Sequence, residues 1–549
     1  MQQSVPTTSD VQATFVATLV DEWYELGLRD VVVCPGSRST PLALAVANHA
    51  GLRVHVRIDE RSAAFFALGR SLASNRPAAI VVTSGTAAAE LHAAVAEADL
   101  AHVPLLVLTA DRPPELHGVG APQTIDQQHL YGAKVRLYEE PGVARIDVAS
   151  SWRPLAARLW RAARGEPGLA GPVHLNAAFV EPLLGDVLAL PPRPPSQSES
   201  ALVHPSSTLD VRGRRVLCVA GAGTSPDVIA AATKANWVVC GDATAQGSLS
   251  YVDPLVRHDE IWADLCPEVI VRLGGIPASK FLAQRLATSG VEVIALDGAG
   301  PVADPDGVVG RRLNGLPDDA NPLHVGDAAF AERWREASAT VQHHLAGLWH
   351  EDLDEVLVAR VVVDAANEAQ CALVVGSSMP VRDVEWWSRA RQTPVFANRG
   401  ANGIDGVVST FLGVATGSSA IGLVGDVTML HDVSALVDGP GTLTRAVLVV
   451  NDNGGGGIFS FLTQARRVAS ATFEQLFATS RTHDLATVAN AFGHRGETVT
   501  SASALREALV RGLSHEGLSV IVVRLPSRED NVARHEELNR LVAEWWAQR

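Results

Sequence analysis

The chain has 549 residues, of which 47% are hydrophobic and 19% are charged, and its formal net charge is −15. This length exceeds what one hydrophobic core can organise and predicts three or four domains of roughly 150 residues each. The composition excludes an intrinsically disordered chain, and the acidic balance without a long Lys/Arg block argues against nucleic-acid binding, which needs a basic face.

The start of the chain and the cysteines indicate a compartment. The stretch MQQSVPTTSDVQATFVATLV lacks the basic residues of a signal peptide, and no run of about 18 apolar residues occurs anywhere. The cysteines are odd in number and form no Cys-x-x-Cys pair, which favours a reducing compartment without structural zinc. We therefore expect a cytoplasmic protein with no membrane span and no nucleic-acid partner.

Short β-branched runs that end in Gly, Ser, Asn or Asp recur along the chain and predict buried strands. In order they are DVVVCPGS, AAIVVTSG, PLLVLTAD, RRVLCVAG, EVIVRLGG, VEVIALDG, CALVVGSS, IGLVGD, AVLVVNDN and LSVIVVRLP. Ala- and Leu-rich stretches with helical periodicity lie between many of them, which is typical of repeated βαβ units. The sequence therefore predicts an α/β protein of parallel sheets flanked by helices, with ligands at the carboxyl ends of the strands.

Two segments interrupt this alternation. The stretch LPPRPPSQSES (190–200) is rich in Pro and Ser and is interpreted as a linker, and TVQHHLAGLWHEDLDE (340–355) is a polar stretch before a new helix. They predict three α/β domains at 1–190, 200–345 and 350–549, each of ordinary domain size.

In the middle domain, VAGAGTSPD has a Gly-x-Gly after a predicted strand. Pro226 stands where a dinucleotide fingerprint has its third glycine, so we interpret this stretch as an α/β turn rather than a nicotinamide site.

In the last domain, two predicted strands end in oxygen-bearing side chains. IGLVGD ends at Asp426, and AVLVVNDN ends at Asn453 before four glycines. The stretch between them is long enough for one helical crossover, so the two ends should be neighbours. A carboxylate and an amide oxygen beside glycines, whose N–H groups can cradle phosphates, predict a Mg²⁺-bound diphosphate. A helix cap at Asp426 followed by an Asx turn is the alternative.

These strand ends resemble the motif of the thiamine-diphosphate-dependent enzymes, which is Gly-Asp-Gly followed one crossover later by Asn-Asn. Gly425, Asp426 and Val427 match its first part, with Val in place of the second Gly. The resemblance implies that thiamine diphosphate binds at these three residues.

The second part of the motif is interrupted as Asn451-Asp452-Asn453, so Asn451 and Asn453 are alternative metal ligands. We choose Asn453, because it directly precedes the glycines. The resemblance then implies that Asp426, Asn453 and the Gly455 carbonyl hold Mg²⁺ or Mn²⁺.

Such enzymes also need a glutamate that hydrogen-bonds the aminopyrimidine ring and promotes deprotonation of the thiazolium carbon. VHVRIDERSAAFFALGRSLA offers Glu60 at a strand end, just before an apolar helix. An apolar pocket would disfavour its charged form, so that it could share a proton with a ring nitrogen near neutral pH. An acidic residue favoured by the helix dipole is the alternative interpretation.

Five further stretches resemble the 2-succinyl-5-enolpyruvyl-6-hydroxy-3-cyclohexene-1-carboxylate (SEPHCHC) synthase family of menaquinone biosynthesis. They are CPGSRSTPLALA, TSGTAAAELHAAVAEA, LTADRPPEL, GAPQTIDQ and NRGANGIDGVVST. The resemblance implies a transferase that decarboxylates 2-oxoglutarate and adds the succinyl-semialdehyde carbanion to isochorismate. It makes the first domain pyrimidine-binding and the last one diphosphate- and Mg²⁺-binding. It also implies a homodimer or homotetramer, with Glu60 and Asp426 meeting across a subunit interface.

Both implied substrates are dicarboxylates, and arginine binds a carboxylate through two parallel hydrogen bonds. The family motifs imply substrate contacts at Ser37, Arg38, Arg112, Gln123, Lys280, Arg382 and Arg399. The four arginines, expected in loops, would form the basic pocket that an acidic chain otherwise lacks. Phe281 departs from the basic pair that the family often has after Lys280, and a surface salt bridge is the alternative role of any single arginine.

The remaining residues implied by the resemblance are mostly apolar. Ser378 in GSSMPVRD and Ile404 in NGIDG would contact the cofactor, with Ile404 beneath it to hold it bent, and Ile458 and Phe459 would form an apolar wall beside the substrate. Core packing is the alternative for the three apolar residues. As functions, another thiamine-diphosphate enzyme, such as an acetohydroxyacid synthase or a 2-oxoacid decarboxylase, and a metabolite-binding protein on the same fold remain open.

Overall fold

The computed structural model describes residues 6–193, 209–349, 351–438 and 445–548. Most of the predicted linker at 190–200 lies outside the described residues. Within the described ranges, no helix is both long enough and apolar enough to cross a membrane.

Three sheets contain the strands of the described residues. The first consists of β1 (Asp30–Val33), β2 (Arg53–Val56), β3 (Ala78–Val82), β4 (Leu105–Asp111), β5 (Tyr138–Glu139) and β6 (Pro172–Ala178). The second consists of β7 (Val216–Ala220), β8 (Val238–Gly241), β9 (Val269–Leu273), β10 (Glu292–Leu296) and β11 (Arg311–Leu313). The third consists of β12 (Ala372–Val375), β13 (Val395–Phe396), β14 (Ser419–Gly425), β15 (Arg445–Asp452), β16 (Arg495–Val499) and β17 (Gly517–Arg524).

Helices connect most of these strands. In chain order they are α1 (Thr8–Leu26), α2 (Thr40–Ala47), α3 (Glu60–Ser74), α4 (Thr86–Ala89), α5 (His92–Leu100), α6 (Trp152–Arg164), α7 (Pro226–Lys234), α8 (Val252–Val256), α9 (Asp259–Asp264), α10 (Lys280–Thr288), α11 (Ala328–Ala346), α12 (Glu355–Ala369), α13 (Met379–Trp387), α14 (Val407–Ala415), α15 (Asp426–His431), α16 (Thr463–Arg467), α17 (Ser470–Phe473), α18 (Leu485–Ala491), α19 (Ala502–Ser514) and α20 (Arg528–Ala547). Short 3₁₀ turns lie at Pro114–Leu116, Gly132–Lys134, Ile146–Ser151, Asp297–Ala299, Val433–Leu436 and Gly457–Phe461, and a π turn at Glu474–Ala478.

The strands pair in parallel, and those that the sequence predicts are buried over most of their length, whereas the edge strands β2, β11 and β16 are largely exposed or half-buried. All five residues of β3 are buried, as are all but the first of β15, which is expected for strands covered on both faces by helices. The β14–β15 pairing is parallel, with Gly425 opposite Asn451. The α/β class and the neighbouring strand ends are therefore confirmed.

The first and third sheets have the same topology. The first has the order β2-β1-β3-β4-β6-β5 and the third has β13-β12-β14-β15-β17-β16, while the second has β11-β10-β9-β7-β8. In each six-stranded sheet the chain adds one strand on one side and then crosses to the other, between β1 and β3 or between β12 and β14. Ligands of open α/β sheets bind at the carboxyl ends of the strands at this switch point.

The chain divides into two compact units, and the described residues of each are treated separately below. The first unit contains the described residues up to 193, together with 398–416 and 432–438, and the second contains the rest. The first sheet thus belongs to the first unit, and the other two sheets belong to the second. Residues 398–416, which the sequence analysis places in the last domain, group with the first unit. The two units therefore do not test the predicted domain limits, which stay a prediction.

Inside the first unit, α3 and α14 cross at very short distance. All nine residues of α14 are buried, as expected for a helix that is apolar on every face. A Cβ placed on Gly69 would lie 2.2 Å from the carbonyl oxygen of Thr410, and one placed on Gly413 would lie 2.3 Å from the carbonyl oxygen of Phe66. The crossing therefore requires glycine on both helices.

Replacing Gly69 with alanine is expected to destabilise the protein, although alanine favours a helix by about 1 kcal/mol over glycine. The new methyl group would meet backbone atoms, which no rotamer change can relieve, and overpacking of this kind costs about 1 to 3 kcal/mol or more. A lower melting temperature than that of Gly315→Ala would support the contact. At Gly315 an added Cβ meets nothing within 4 Å, and equal effects of the two changes would contradict it.

Candidate active site

A cavity of about 730 Å³ opens in the first unit at the carboxyl ends of β1, β2 and β3. It is lined by Pro35, Gly36, Ser37, Ile58, Asp59, Glu60, Arg61, Thr83, Thr86, Ala87, Glu90 and Gln123. Three predicted site residues, Ser37, Glu60 and Gln123, are thus brought together. This is the position expected for a ligand in a sheet of this topology.

Glu60 is the first residue of α3, as the sequence predicts. The side chain of the preceding Asp59 accepts a hydrogen bond from Ser62 N at 2.9 Å, which caps the helix and fixes its start. Glu60 itself is partly exposed in the first unit, and the cavity also presents Asp59, Arg61 and Glu90. Its enclosure in an apolar pocket stays a prediction.

Arg61 was missed by the sequence reasoning although it directly follows Glu60. It lines the same cavity and lies 3.8 Å from the buried carboxylate of Asp432. The only sequence signal was its position beside a predicted catalytic residue.

Two predicted substrate arginines, Arg38 and Arg112, lie close to each other, and each donates hydrogen bonds to other residues of the chain. Arg38 is buried and donates to the carbonyl oxygen of Phe179 at 2.9 Å and to Glu181 at 3.1 Å. Arg112 donates to the carbonyl oxygen of Pro122 at 3.2 Å. Burial, followed by the positive charge of Arg112, lowers the pKa of Arg38. Neither arginine is among the residues that line the cavity.

A buried polar network supports the turn after β3. Gln127 accepts a hydrogen bond from Gly85 N at 2.8 Å and donates to Asn176 Oδ1, also at 2.8 Å. Gln123 has a left-handed backbone with φ of 57°, and its carbonyl oxygen accepts from Ser84 Oγ at 2.9 Å. Gln127 was missed because only the fold brings it to Gly85.

His174 ends this network as a neutral imidazole. Thr109 Oγ1 donates to Asn176 Oδ1 at 2.8 Å, so it accepts the hydrogen of His174 Nε2, also at 2.8 Å. His174 Nδ1 is buried without a hydrogen-bond partner, and burial lowers the pKa of His174 to about 3.

The free energy of unfolding should therefore fall as the pH falls from about 6.5 toward 3. In this range His174 is protonated in the unfolded chain but stays neutral in the folded chain. At pH 5 the loss amounts to about 2 kcal/mol, at 1.36 kcal/mol per pKa unit. His174→Gln should show a smaller drop in melting temperature between about pH 7 and pH 5. His483→Gln, which alters an exposed histidine, is the control. An identical drop in the unaltered chain, His174→Gln and His483→Gln would contradict the assignment.

The loop that carries Arg399 is fastened to α5. Glu97 is 3% exposed, and its carboxylate accepts from Gly400 N at 2.7 Å and from Ala401 N at 2.6 Å. Arg399 NH1 contacts Asn402 Oδ1, which belongs to a residue with φ of 61°. No local pattern could have revealed this contact, because Glu97 is about three hundred positions away in the sequence. Ile404 follows in the same loop and is partly buried.

In the second unit, Asp426 lies at the carboxyl end of β14, beside the third sheet's switch point. It is 5% exposed, and its two carboxylate oxygens accept from Val427 N and Gly455 N, each at 2.7 Å. Burial raises the pKa of Asp426 to about 6. These two bonds are compatible with the proposed ligand role, since each oxygen retains a further lone pair.

The side chains at the end of β15 separate the alternative ligands. Asn453 Nδ2 donates to Glu355 at 2.7 Å, and Asn453 Oδ1 is buried without a partner. Asn451 is buried with both amide atoms unpaired, while Asp452 forms an ion pair with Arg524 at 2.7 Å. Asn453 alone has its nitrogen engaged and its oxygen available, which supports our choice.

Three of the four glycines are required by the backbone of the protein itself. Gly454 has a left-handed backbone with φ of 79°, a Cβ on Gly455 (φ 133°) would lie 2.3 Å from the carbonyl oxygen of Ala478, and one on Gly456 would lie 2.9 Å from that of Phe477. The conformation and packing of this turn therefore favour glycine at these positions, whether or not a phosphate binds to their N–H groups.

The predicted loop position of Arg382 is wrong. Arg382 lies inside α13, whose first turn accepts Pro380 because its missing N–H would have no helical partner there. Its NH1 donates to the carbonyl oxygen of Ser378 at 2.5 Å, so Ser378 and Arg382 are brought together.

The other predicted contacts of the second unit have mixed surroundings. Lys280 starts α10 and is exposed, and Phe281 lies under the guanidinium of Arg257 at 4.2 Å. Ile458 packs partly against a hydrophobic core, whereas Phe459 packs against Phe477 with ring centroids 5.8 Å apart. Packing thus accounts for part of the role of both apolar residues.

The donor set suits a hard divalent cation. A buried carboxylate on Asp426, an unpaired amide oxygen on Asn453 and the carbonyl of Gly455 offer only oxygens, which Mg²⁺ prefers. The described ranges contain no group of three or more His, Cys, Asp or Glu side chains able to hold a metal. The donor set proposed above does not require such a group, because its donors are one carboxylate, one amide oxygen and one backbone carbonyl.

Comparison with known proteins assigns the class. Residues 13–130 match the family described as thiamine pyrophosphate enzyme, N-terminal TPP binding domain, and residues 385–523 match its C-terminal TPP binding domain. The crystal structure of benzoylformate decarboxylase from Polynucleobacter necessarius shares the fold, with a TM-score of 0.68 at 18% identity over 93% of this chain and 98% of that chain. The fold and the two matched domains define a thiamine-diphosphate-dependent enzyme.

The curated relatives narrow this class. SEPHCHC synthases from Myxococcus xanthus, Geobacillus kaustophilus and Chloroflexus aurantiacus are 38%, 37% and 37% identical to the chain. They align over 96%, 97% and 97% of this chain and 97%, 98% and 97% of their own. The chain belongs to the 2-succinyl-5-enolpyruvyl-6-hydroxy-3-cyclohexene-1-carboxylate synthase family of transferases, which confirms the predicted resemblance.

Proposed function

We propose that the chain makes SEPHCHC for menaquinone biosynthesis, by decarboxylating 2-oxoglutarate and joining the resulting four-carbon unit to isochorismate. The observation that carries this proposal is that Asp426 and Asn453, whose Oδ1 has no partner, lie at the carboxyl ends of the adjacent strands β14 and β15, in a chain of this family. A cytoplasmic location and a homodimer or homotetramer are parts of the same proposal.

Bound thiamine diphosphate would supply the carbon nucleophile and the electron sink for decarboxylation. The carboxylate of Asp426, the amide oxygen of Asn453 and the carbonyl of Gly455 would hold Mg²⁺ or Mn²⁺ and, through it, the diphosphate. Gly425, Val427, Ser378 and Ile404 are the proposed neighbours of the rest of the cofactor.

Glu60 is proposed as the catalytic carboxyl group. Its side chain would share a proton with a nitrogen of the aminopyrimidine ring, which is the proton exchange that activates the cofactor. Support comes from its position at the start of α3, where it lines the cavity together with Ser37 and Gln123.

The substrate carboxylates are proposed to bind the cationic side chains. Arg38, Arg112, Arg382 and Arg399 carry guanidinium groups suited to bidentate carboxylate recognition. Lys280 adds a point charge, and Ile458 and Phe459 are proposed as the apolar wall. The mutual proximity of Arg38 and Arg112 supports a locally basic region on an acidic chain.

The test is to incubate the purified chain with thiamine diphosphate, Mg²⁺ and 2-oxoglutarate, with and without isochorismate, while following CO₂ release and product mass. Release that depends on isochorismate and gives the succinyl-ring adduct supports the proposal. Release without isochorismate, or with pyruvate in place of 2-oxoglutarate, would instead indicate another thiamine-diphosphate enzyme. Light scattering of the same sample distinguishes monomer, dimer and tetramer.

A further inference from the structure

We propose that Glu355 is a positioning residue for the divalent cation, which orients the Asn453 amide so that Oδ1 faces the metal. This inference rests on the proposed function, because that function makes Asn453 a metal ligand. Glu355 is the last residue of the polar stretch 340–355 and belongs to none of the motifs that carry the family resemblance. It would touch neither the cation nor the substrate.

The position of Glu355 is rigidly defined. It is the first residue of α12, whose N-cap Asp354 accepts from Leu357 N at 2.6 Å. The Glu355 side chain is 3% exposed. A buried, capped helix start gives its carboxyl group one direction, and Asn453 Nδ2 lies 2.7 Å from Glu355 Oε1 in that direction.

An asparagine amide can present either its oxygen or its nitrogen to a ligand, and only the oxygen can bind a cation. The hydrogen bond to Glu355 engages Nδ2 and thereby directs Oδ1 to the other side. Gly457 contributes to this arrangement, because a Cβ there would lie 2.6 Å from Asn453 Nδ2. The nitrogen therefore occupies a place that the local backbone leaves open for it.

The opposite end of the amide has no protein partner. Asn453 Oδ1 is buried and unpaired, and an acceptor left in this state costs about 1 to 3 kcal/mol. A cation bound at Oδ1 would remove this cost. A carboxyl oxygen accepts the Nδ2 hydrogen bond whether or not the group is protonated, so the inference does not depend on the ionisation of Glu355.

Two substitutions separate a hydrogen-bonding role from a charge role. Glu355→Gln keeps the side-chain length and an oxygen acceptor but cannot carry a charge. Glu355→Asp keeps an ionisable carboxyl group but withdraws the acceptor by one methylene group. The exposed Glu368 lies on the same helix, so Glu368→Gln is the matched control.

The measurement is a Mg²⁺ titration of the full-length chain at saturating thiamine diphosphate without substrate, followed by intrinsic tryptophan fluorescence. Loss of a hydrogen bond to a metal ligand typically weakens metal binding roughly 10- to 100-fold. We expect that weakening for Glu355→Asp, whereas Glu355→Gln and Glu368→Gln should titrate like the unaltered chain. Melting temperatures without metal are measured in parallel to identify a folding defect.

Two results would overturn the assignment. Weakening by Glu355→Gln with normal titration of Glu355→Asp would show that the charge matters and the hydrogen bond does not. Normal titration of both variants would remove any role in metal binding. If the unaltered chain itself shows no Mg²⁺-dependent binding of thiamine diphosphate, the proposed function fails first, so the two failures are distinguishable.

Discussion

Glu60→Gln should lower turnover about 100- to 10,000-fold, the range that a positioned proton-transfer group typically contributes. Glutamine has nearly the same shape but cannot exchange a proton with the aminopyrimidine ring. The proposed cation ligands are other residues, so the affinity for thiamine diphosphate and Mg²⁺ should change little. Isochorismate-dependent CO₂ release measures the first quantity, and a fluorescence titration measures the second.

The control for this substitution is Glu25→Gln, which alters an exposed carboxylate on α1 in the same unit. It should retain full turnover. Full activity of Glu60→Gln would refute the catalytic assignment, whereas a loss of cofactor binding in that variant would make Glu60 a binding residue instead.

Asp426→Asn should abolish tight, Mg²⁺-dependent binding of thiamine diphosphate. The loss should exceed the roughly 10- to 100-fold that an outer partner of a metal ligand contributes, because a direct ligand loses its negative charge and one of its two oxygens. In addition, one carboxylate oxygen becomes an NH₂ group facing either Val427 N or Gly455 N, which donate hydrogen bonds at 2.7 Å. Calorimetric titration of the cofactor with and without Mg²⁺ measures the effect.

Asp227→Asn is a matched comparison for Asp426→Asn. Asp227 lies in the first turn of α7, shortly after β7, and is exposed. It should leave cofactor binding unchanged. Unaltered binding by Asp426→Asn would mean that the diphosphate is held elsewhere and would remove the main support for the proposed metal site.

The parts of the site that lie next to predicted strands could be read from the sequence. The apolar run AVLVVNDN corresponds to β15, and its separation from IGLVGD correctly predicts that β14 and β15 are neighbours. Glu60 was predicted at a helix start after a strand and lies there. These features depend on local hydrophobic patterning and chain length, which the sequence contains directly.

The parts of the site that depend on tertiary contacts could not be predicted from the sequence. The Glu97 contact with Gly400 and Ala401 and the Glu355 contact with Asn453 join residues that no local pattern connects. Arg382 was expected in a loop together with the other three substrate arginines, yet it lies in a helix whose first turn tolerates a proline. For the two glutamates the deciding factor is contact between segments that are distant in the sequence.

The grouping of residues 398–416 with the first unit sets a limit on protein engineering. A recombinant fragment ending near residue 190 would lack α14 and leave uncovered the face of α3 on which Gly69 lies. It would also remove the carbonyl oxygens of Gly413 and Thr416, which accept hydrogen bonds from the buried guanidinium of Arg70. Such a fragment should aggregate, so a soluble version would need residues 398–416 attached through a designed connection.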